Sequence, residues 1–446
     1  MITKLLQQLK TSLYHPFSRD VATLQIGSFI GRILAFATSL VFARILGPED
    51  YGFYTLVFAL AGIITIFQDF GAGAGITTLL SRAFEEKNKQ EIKSLLTYFV
   101  KMTLVILVTT GLAGMILAPW LGLWFYHNFY LGQLAAIVVA TTALTLFFPL
   151  IQIVLQVVRQ IKKLTILETL NKLLASLLPI ILIVLGLSVF GIVIGQLSAM
   201  LIISVIALFM YIKLATQETL LPKLKELFLT KLPRDTIKYY FNFGFLIAIS
   251  KNLVKLNVSV PLLILGAVLA TNSGLAFYKI AFAYMSLPIV LLGPISRLLN
   301  VQFPHTAHYG QDRLFKRFWQ VNWITLLISL VLTSGAVFVG PWLIKTLYGS
   351  DFTPSIKLMY GLSIYPLLSA LGIGLGPMFR TLNKMKVAIT INIVTFALLV
   401  PTAWWLISNY AITGLIITTL VFTFFPNTIS LVYFYRLSKN SYAKGS

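Results

Sequence analysis

The chain has no cysteine, only 13 acidic residues and only four histidines in 446 positions. Without cysteine there is no disulfide framework, no thiolate metal site and no cysteine nucleophile. His15, His127, His305 and His308 fall in loops or at helix ends without metal-ligating company, so neither a metal site nor a catalytic site is expected. No P-loop run is present, which excludes self-driven ATP hydrolysis, and no cofactor is called for. The glycine run Gly71-Ala72-Gly73-Ala74-Gly75 lacks the spacing of a dinucleotide fingerprint and reads as close helix packing or a bend.

What is abundant is apolar surface. Hydrophobic residues make up 58% of the chain and charged ones 11%, and the mean hydropathy is +0.89. One soluble core cannot absorb that much, because single cores stop growing near ~250–300 residues. A bilayer can, and each span needs roughly 20 mostly apolar residues. The runs predict an all-α membrane protein with twelve transmembrane helices. They lie near 21–46, 52–80, 94–118, 132–157, 164–186 and 190–213, then 241–268, 275–303, 321–345, 355–379, 386–408 and 411–435. Prolines inside the spans, such as Pro149, Pro179, Pro261, Pro366 and Pro377, require neighbours or water to satisfy the carbonyls they free, which points to helices lining a cavity.

The formal net charge of +22 is a topology signal. Arg82, Lys87, Lys89 and Lys93, then Arg159, Lys162 and Lys163, then Arg313, Lys316 and Arg317 crowd one set of connections. The alternate connections, such as 120–131 and 187–190, hold no Lys or Arg. The positive-inside rule then places both termini in the cytoplasm. Basic residues at the membrane face meet anionic lipid, so nucleic acid is not the expected partner. Residues 1–20 carry Ile2, Leu5, Leu6, Leu9 and Leu13 on one stripe and read as an interfacial amphipathic segment ended near Pro16. Residues 21–213 form the first six-helix bundle, 214–240 a cytoplasmic linker with an apolar face of Leu220, Leu221, Leu224, Leu227 and Phe228, 241–435 the second bundle, and 436–446 a tail.

The two bundles repeat one another. Phe53-Tyr54 and Phe58-Ala59 match Phe277-Tyr278 and Phe282-Ala283. Pro119-Trp120-Leu121 matches Pro341-Trp342-Leu343, and Arg159, Lys163 and Asn171 match Arg380, Lys384 and Asn392. An even number of spans per repeat makes the halves parallel and pseudo-symmetric, an arrangement that places a substrate between them.

Ionisable residues inside spans cost ~2.5–3.5 kcal/mol each on insertion scales and are therefore functional candidates. Arg32 lies near the middle of the first span, and the repeat maps it onto Lys255, which shares a helix face with Lys251. Lys172, Lys279 and Arg297 are further cations on the same scale, and Lys101 follows them. The two carboxylates deep in spans are Asp69 and Glu168, either of which is placed to couple transport to Na⁺ or H⁺. Glu168 stands four residues before Lys172, the spacing of an intrahelical pair. The cationic excess suits an anionic ligand, since guanidinium grips phosphate bidentately and ammonium adds a point charge. Tyr54, Tyr278, Tyr284 and Trp319 are the aromatic candidates for contact with the remainder of such a ligand.

Residues 43–52, Ala-Arg-Ile-Leu-Gly-Pro-Glu-Asp-Tyr-Gly, with the following Phe-Tyr and the later Gln68-Asp69-Phe70-Gly71, resemble the oligosaccharide flippase family. These O-antigen and polysaccharide transporters belong to the superfamily that also holds multidrug antiporters and lipid II flippases. In the second half Ala270-Thr271-Asn272-Ser273 replaces the Gly-Pro-Glu-Asp turn. The resemblance implies a V-shaped, MATE-like pair of bundles in a bacterial cytoplasmic membrane. It also implies movement of an undecaprenyl-diphosphate-linked sugar to the outer leaflet, with a polysaccharide polymerase or glycosyltransferases as partners. Three alternatives stand beside it. A lipid II-type flippase would also take an anionic cargo, a cation-coupled multidrug antiporter would lead with carboxylates, and a non-transporting scaffold would pair every intramembrane charge.

Overall fold

The computed structural model describes residues 16–66, 68 and 72–445, and all regular structure among them is helical. The helices are α1 (Pro16–Ile66), α2 (Ala72–Glu85), α3 (Lys89–Tyr126), α4 (Phe129–Ala143), α5 (Phe147–Val157), α6 (Ile161–Leu182), α7 (Ser188–Gln217) and α8 (Leu224–Leu229). They continue with α9 (Arg234–Val268), α10 (Ser273–Met285), α11 (Leu287–Ala307), α12 (Gln311–Tyr348), α13 (Pro354–Gly361), α14 (Tyr365–Ala370), α15 (Leu375–Thr381) and α16 (Met385–Gly445). Of the expected interfacial segment, residues 1–15 lie outside the described ones.

Six helical stretches among the described residues are long and apolar enough to cross a bilayer, and two bent pairs bring the number to eight. Two of the six, Ile161–Gln217 and Met385–Lys439, have 57 and 55 residues. That is more than twice the length of one span. Each breaks near its middle, at Gly186 (φ 88°) and at Ala411 (φ 45°), close to where the hydropathy pattern divides them. Beyond the first break the chain folds back, so that Gly195 of α7 packs against the backbone of Pro179 in α6. α1 breaks in the same way at Gly47 (φ 71°), one residue before Pro48. A Cβ is disfavoured at such a φ and proline has no N–H to continue the ladder, so this Gly-Pro pair ends one span and begins the next.

The expected single helix over 355–379 is instead three short pieces, α13, α14 and α15, bent by 52°. Pro354, Pro366 and Pro377 break the ladder, and side chains of neighbouring helices take up freed carbonyls. Ser329 Oγ donates to the Pro366 carbonyl at 3.1 Å and Asn427 Nδ2 to that of Leu368 at 2.9 Å. At the interruption between α4 and α5, Ser204 Oγ donates to the Leu144 carbonyl at 3.0 Å. With no water available in hydrocarbon, such partners are what make broken helices tolerable.

The chain divides into two compact units, residues 1–46 with 60–249, and 47–59 with 250–446. The first is built on Ile92, Leu95, Leu96, Phe99, Leu150, Val154 and Tyr211, all buried. Its α3–α4 hairpin closes on Gly122 and Gly132, whose backbones touch, and Asn128 caps α4 through the Leu131 N–H at 2.9 Å. The linker belongs to this unit. Leu221 and Leu227 are buried in it, Tyr211 donates to the Pro222 carbonyl at 2.8 Å, and Phe228 stays exposed. The second unit centres on Phe303, Phe315, Phe318, Met378, Phe379 and Phe434. Phe303 and Phe434 meet Phe318 edge-on, and Phe379 tilts against Phe434 with centroids 4.6 Å apart.

Candidate functional site

In the first unit Lys172 of α6 lies against α1. Gly27 and Gly31, one turn apart, let α6 approach closely, with Thr165 lying against Gly27 and the Lys172 side chain along Gly31. A Cβ on Gly31 would collide with Lys172 Cδ, Cε and Nζ, so the glycine keeps open the channel that the ammonium occupies. Arg32, the next residue, is exposed. Lys172 is not paired with Glu168, as the spacing suggested; the Glu168 carboxylate instead accepts from Gln152 Nε2 of α5 at 3.0 Å. A neutral amide, not an ammonium, is the partner, because the lysine stem is drawn across to Gly31. Among the described residues no group of three acidic or histidine side chains is placed to hold a metal ion. Asp69 lies outside the described residues.

Gly31→Ala is expected to leave thermal stability in detergent nearly unchanged, since the obstacle is the flexible end of a lysine. The displaced ammonium should weaken binding of an anionic ligand, read by titration of the purified variant with an anionic lipid.

In the second unit the site forms around Lys279 of α10. Its Nζ lies 4.1 Å from the ring centroid of Tyr54 and 5.0 Å from that of Tyr51. Those rings belong to the 47–59 segment and are 5.6 Å apart, and Tyr54 continues onto Phe58 at 4.7 Å. Tyr51 also meets Phe352 edge-on at 6.4 Å, which fixes the seat of the ammonium. The ring faces supply the negative potential that a carboxylate would otherwise give. Among the described residues Lys279 has no ion pair.

The segment that presents these tyrosines is clamped by Glu49. Its carboxylate accepts from the Asn272 N–H at 2.9 Å, from Asn272 Nδ2 at 3.0 Å and from the Ser273 N–H at 3.0 Å. The bonds satisfy N–H groups at the start of α10, where a negative charge is favoured by the helix dipole. The Pro-Glu-Asp turn of the sequence therefore holds α10, and with it Lys279, in register with Tyr51 and Tyr54.

In the same unit a cavity of about 180 Å³ is lined by Asn257, Pro261, Tyr278, Phe282, Tyr365 and Thr419. Tyr278 and Thr419 share a hydroxyl–hydroxyl bond of 2.6 Å, and Phe282 stacks on Tyr278 and tilts against Tyr365 at 4.9 Å. The Asn257 Oδ1 is buried and unpartnered among the described residues, two positions beyond the exposed Lys255. Aromatic faces beside an amide and hydroxyls match a ligand that presents both C–H surface and hydroxyl groups. Of the aromatic candidates, Tyr54 and Tyr278 take part in these features. Tyr284 is held by the Ala336 carbonyl at 2.9 Å, and Trp319 packs between Phe318 and Tyr435. Lys251 and Arg297 lie in α9 and α11 with side chains outside the described ones. Sequence reasoning missed Gln152 and Asn257, both amides in apolar helices and detectable by that alone.

Long apolar helical stretches in a nearly all-helical chain mark a polytopic membrane protein, and its fold is that of MATE transporters. The first of the similar solved structures, an inward-facing multidrug resistance MATE transporter of the MOP superfamily, has a TM-score of 0.74 at 16% identity, covering 96% of this chain and 100% of that one. An outward-facing MATE transporter of the same superfamily gives 0.64 at 17%, with 96% and 97% covered. A MOP transporter from Pyrococcus furiosus, described by a binding pocket of reverse polarity that suggests a different function, gives 0.63 at 17%, with 95% and 96% covered. No curated protein matches the sequence. Residues 17–305, well over half of the chain, match the polysaccharide biosynthesis protein family, and the chain belongs to that family.

Proposed function

We propose that the protein flips an undecaprenyl-diphosphate-linked oligosaccharide from the cytoplasmic to the periplasmic leaflet by alternating access. The observation that carries this reading is the Lys279 ammonium seated over Tyr51 and Tyr54, in a bent helix pair apolar enough to cross a membrane. A diphosphate crossing hydrocarbon needs compensating positive charge, and ring faces return part of what it costs to bury the cation that supplies it. Within the second unit Lys279 offers the charge, while the cavity at Asn257 and Tyr278 suits the sugar; Arg32 and Lys172 in the first unit and Lys255 in the second are further candidate cations. The lipid tail stays in the bilayer as the head group passes. Membership of a polysaccharide biosynthesis family supports the cargo class. The reversed pocket polarity described for the Pyrococcus furiosus transporter, with the different function it suggests, supports the idea that this fold serves more than one function.

The test is binding of purified protein to an undecaprenyl-diphosphate sugar beside a lipophilic cation, for wild type and the double variant Arg32→Gln/Lys255→Gln. Wild type should prefer the anionic lipid, and the folded variant should bind it about tenfold or more weakly, the loss of at least one of its two charge-assisted contacts. Preference for the cation, or unchanged lipid binding by the variant, would overturn the reading. Equal binding of lipid II would move the cargo to that class.

A further inference from the structure

At the lysine-rich end of the first unit a cavity of about 390 Å³ opens between α3 and the segment joining α8 to α9. Tyr98, Lys101, Met102 and Val105 form one wall, and Lys231 and Leu232 the other. Lys101 Nζ donates to the Thr230 carbonyl at 2.8 Å, the C-cap of α8. That uses one of its three N–H groups and pins the ammonium at the cavity wall. The acid of α8 is committed elsewhere: Glu226 is bound by Lys93 at 2.7 Å, and that ammonium holds the Glu226 carboxyl below the usual carboxylate range. Among the described residues neither Lys101 nor Lys231 takes part in an ion pair.

A second observation concerns what continues from the cavity. Lys101, Val105, Val108, Leu112 and Ile116 follow helical spacing and form one stripe of α3. Its apolar members are 57%, 48%, 58% and 65% exposed. The stripe runs roughly 22 Å from Lys101, more than the ~15 Å depth of one hydrocarbon leaflet. A cationic pair thus stands at the head of an open apolar track long enough for an acyl chain.

We infer that Lys101 and Lys231 bind the phosphate headgroup of an anionic bilayer phospholipid, whose acyl chain lies along the Val105–Ile116 stripe. Two ammonium groups match one phosphodiester better than a zwitterionic headgroup, which brings its own cation. Free phosphate would leave the stripe unused. With Lys101 tethered to Thr230 and Lys231 one residue further on, a lipid in this place joins the linker to α3 through its headgroup. The inference does not depend on the cargo proposed above.

The experiment is native mass spectrometry of the full-length protein released from nanodiscs of equal phosphatidylglycerol and phosphatidylethanolamine. Wild type should retain phosphatidylglycerol preferentially, and Lys231→Gln should reduce the retained fraction about tenfold. Lys231→Arg should keep it, and so should Lys225→Gln, which removes an exposed charge of the neighbouring α8 outside the cavity. Lys101→Gln adds to the loss but also cuts the Thr230 tether, so Lys231 decides. Unchanged retention in Lys231→Gln, or an equal loss in Lys225→Gln, would overturn the site. Two competition arms identify the source of the phosphate. Displacement by millimolar inorganic phosphate would make it a plain anion site, and displacement by equimolar undecaprenyl diphosphate a port for cargo; either result overturns the phospholipid assignment.

Discussion

Lys279→Met should reduce translocation of a labelled undecaprenyl-diphosphate sugar into proteoliposomes at least about tenfold, while the melting temperature in detergent stays level or rises. The two signs follow from opposing magnitudes. An ammonium inside a span costs ~2.5–3.5 kcal/mol on insertion scales, and a cation–π seat returns ~0.5–2 kcal/mol. Lys279 is on balance a burden on the fold, even with Tyr54 at 4.1 Å and Tyr51 at 5.0 Å. A neutral, flexible side chain of similar length removes that burden and the charge together. Lys279→Arg keeps a cation over the rings and should retain much of the transport. A variant that loses stability in step with activity would show the lysine to be structural. Full activity in Lys279→Met would remove it from the pathway.

Gly52→Ala should have the largest effect on stability. A Cβ there would overlap the Asn272 carbonyl oxygen, a backbone atom held in place by the three bonds that Asn272 and Ser273 make to Glu49. No rotamer change relieves such a clash, unlike the collision of Gly31 with the end of Lys172. Overpacking against fixed atoms costs ~1–3 kcal/mol or more. The expected result is a clearly lowered melting temperature and a smaller monodisperse fraction after solubilisation, with Gly31→Ala as the near-neutral control. A Gly52→Ala protein that melts like wild type would mean that the 47–59 segment is not seated on α10 as described.

Much of the architecture was legible because hydropathy and punctuation agree along the chain. Gly47-Pro48 marks a real backbone break, and Gly186 lies at the division of the 57-residue stretch as the apolar runs suggested. The 354–381 region was less legible, since its mean hydropathy is that of a continuous span. Its interruptions depend on Ser329 and Asn427, which approach from other helices. The same limit governs the site. Local spacing offered Lys172 to Glu168, but α5 brings Gln152 from 16 residues away, and Gly31 draws the lysine off. The sequence singled out Lys279 and Tyr54 separately, as a charge in a span and as an aromatic in a repeated motif. Nothing local says that they meet across 225 positions. The family motif held the clue in Glu49, whose role is visible only once Asn272 and Ser273 arrive opposite it.

The sequence distance between Glu49 and Asn272, 223 residues, also sets a timetable for biogenesis. At ~5–20 residues per second of synthesis, residues 47–59 emerge roughly 10–45 s before the strand of chain they must grip. During that interval their tyrosines and carboxylate wait in the membrane without their native neighbours, exposed to insertase, chaperone and protease. A gene cut within the linker would separate the clamp from its target altogether, leaving a carboxy-terminal fragment without Glu49, Tyr51 or Tyr54. The second unit is therefore completed by a piece of chain made long before it, so its assembly is a post-insertional event.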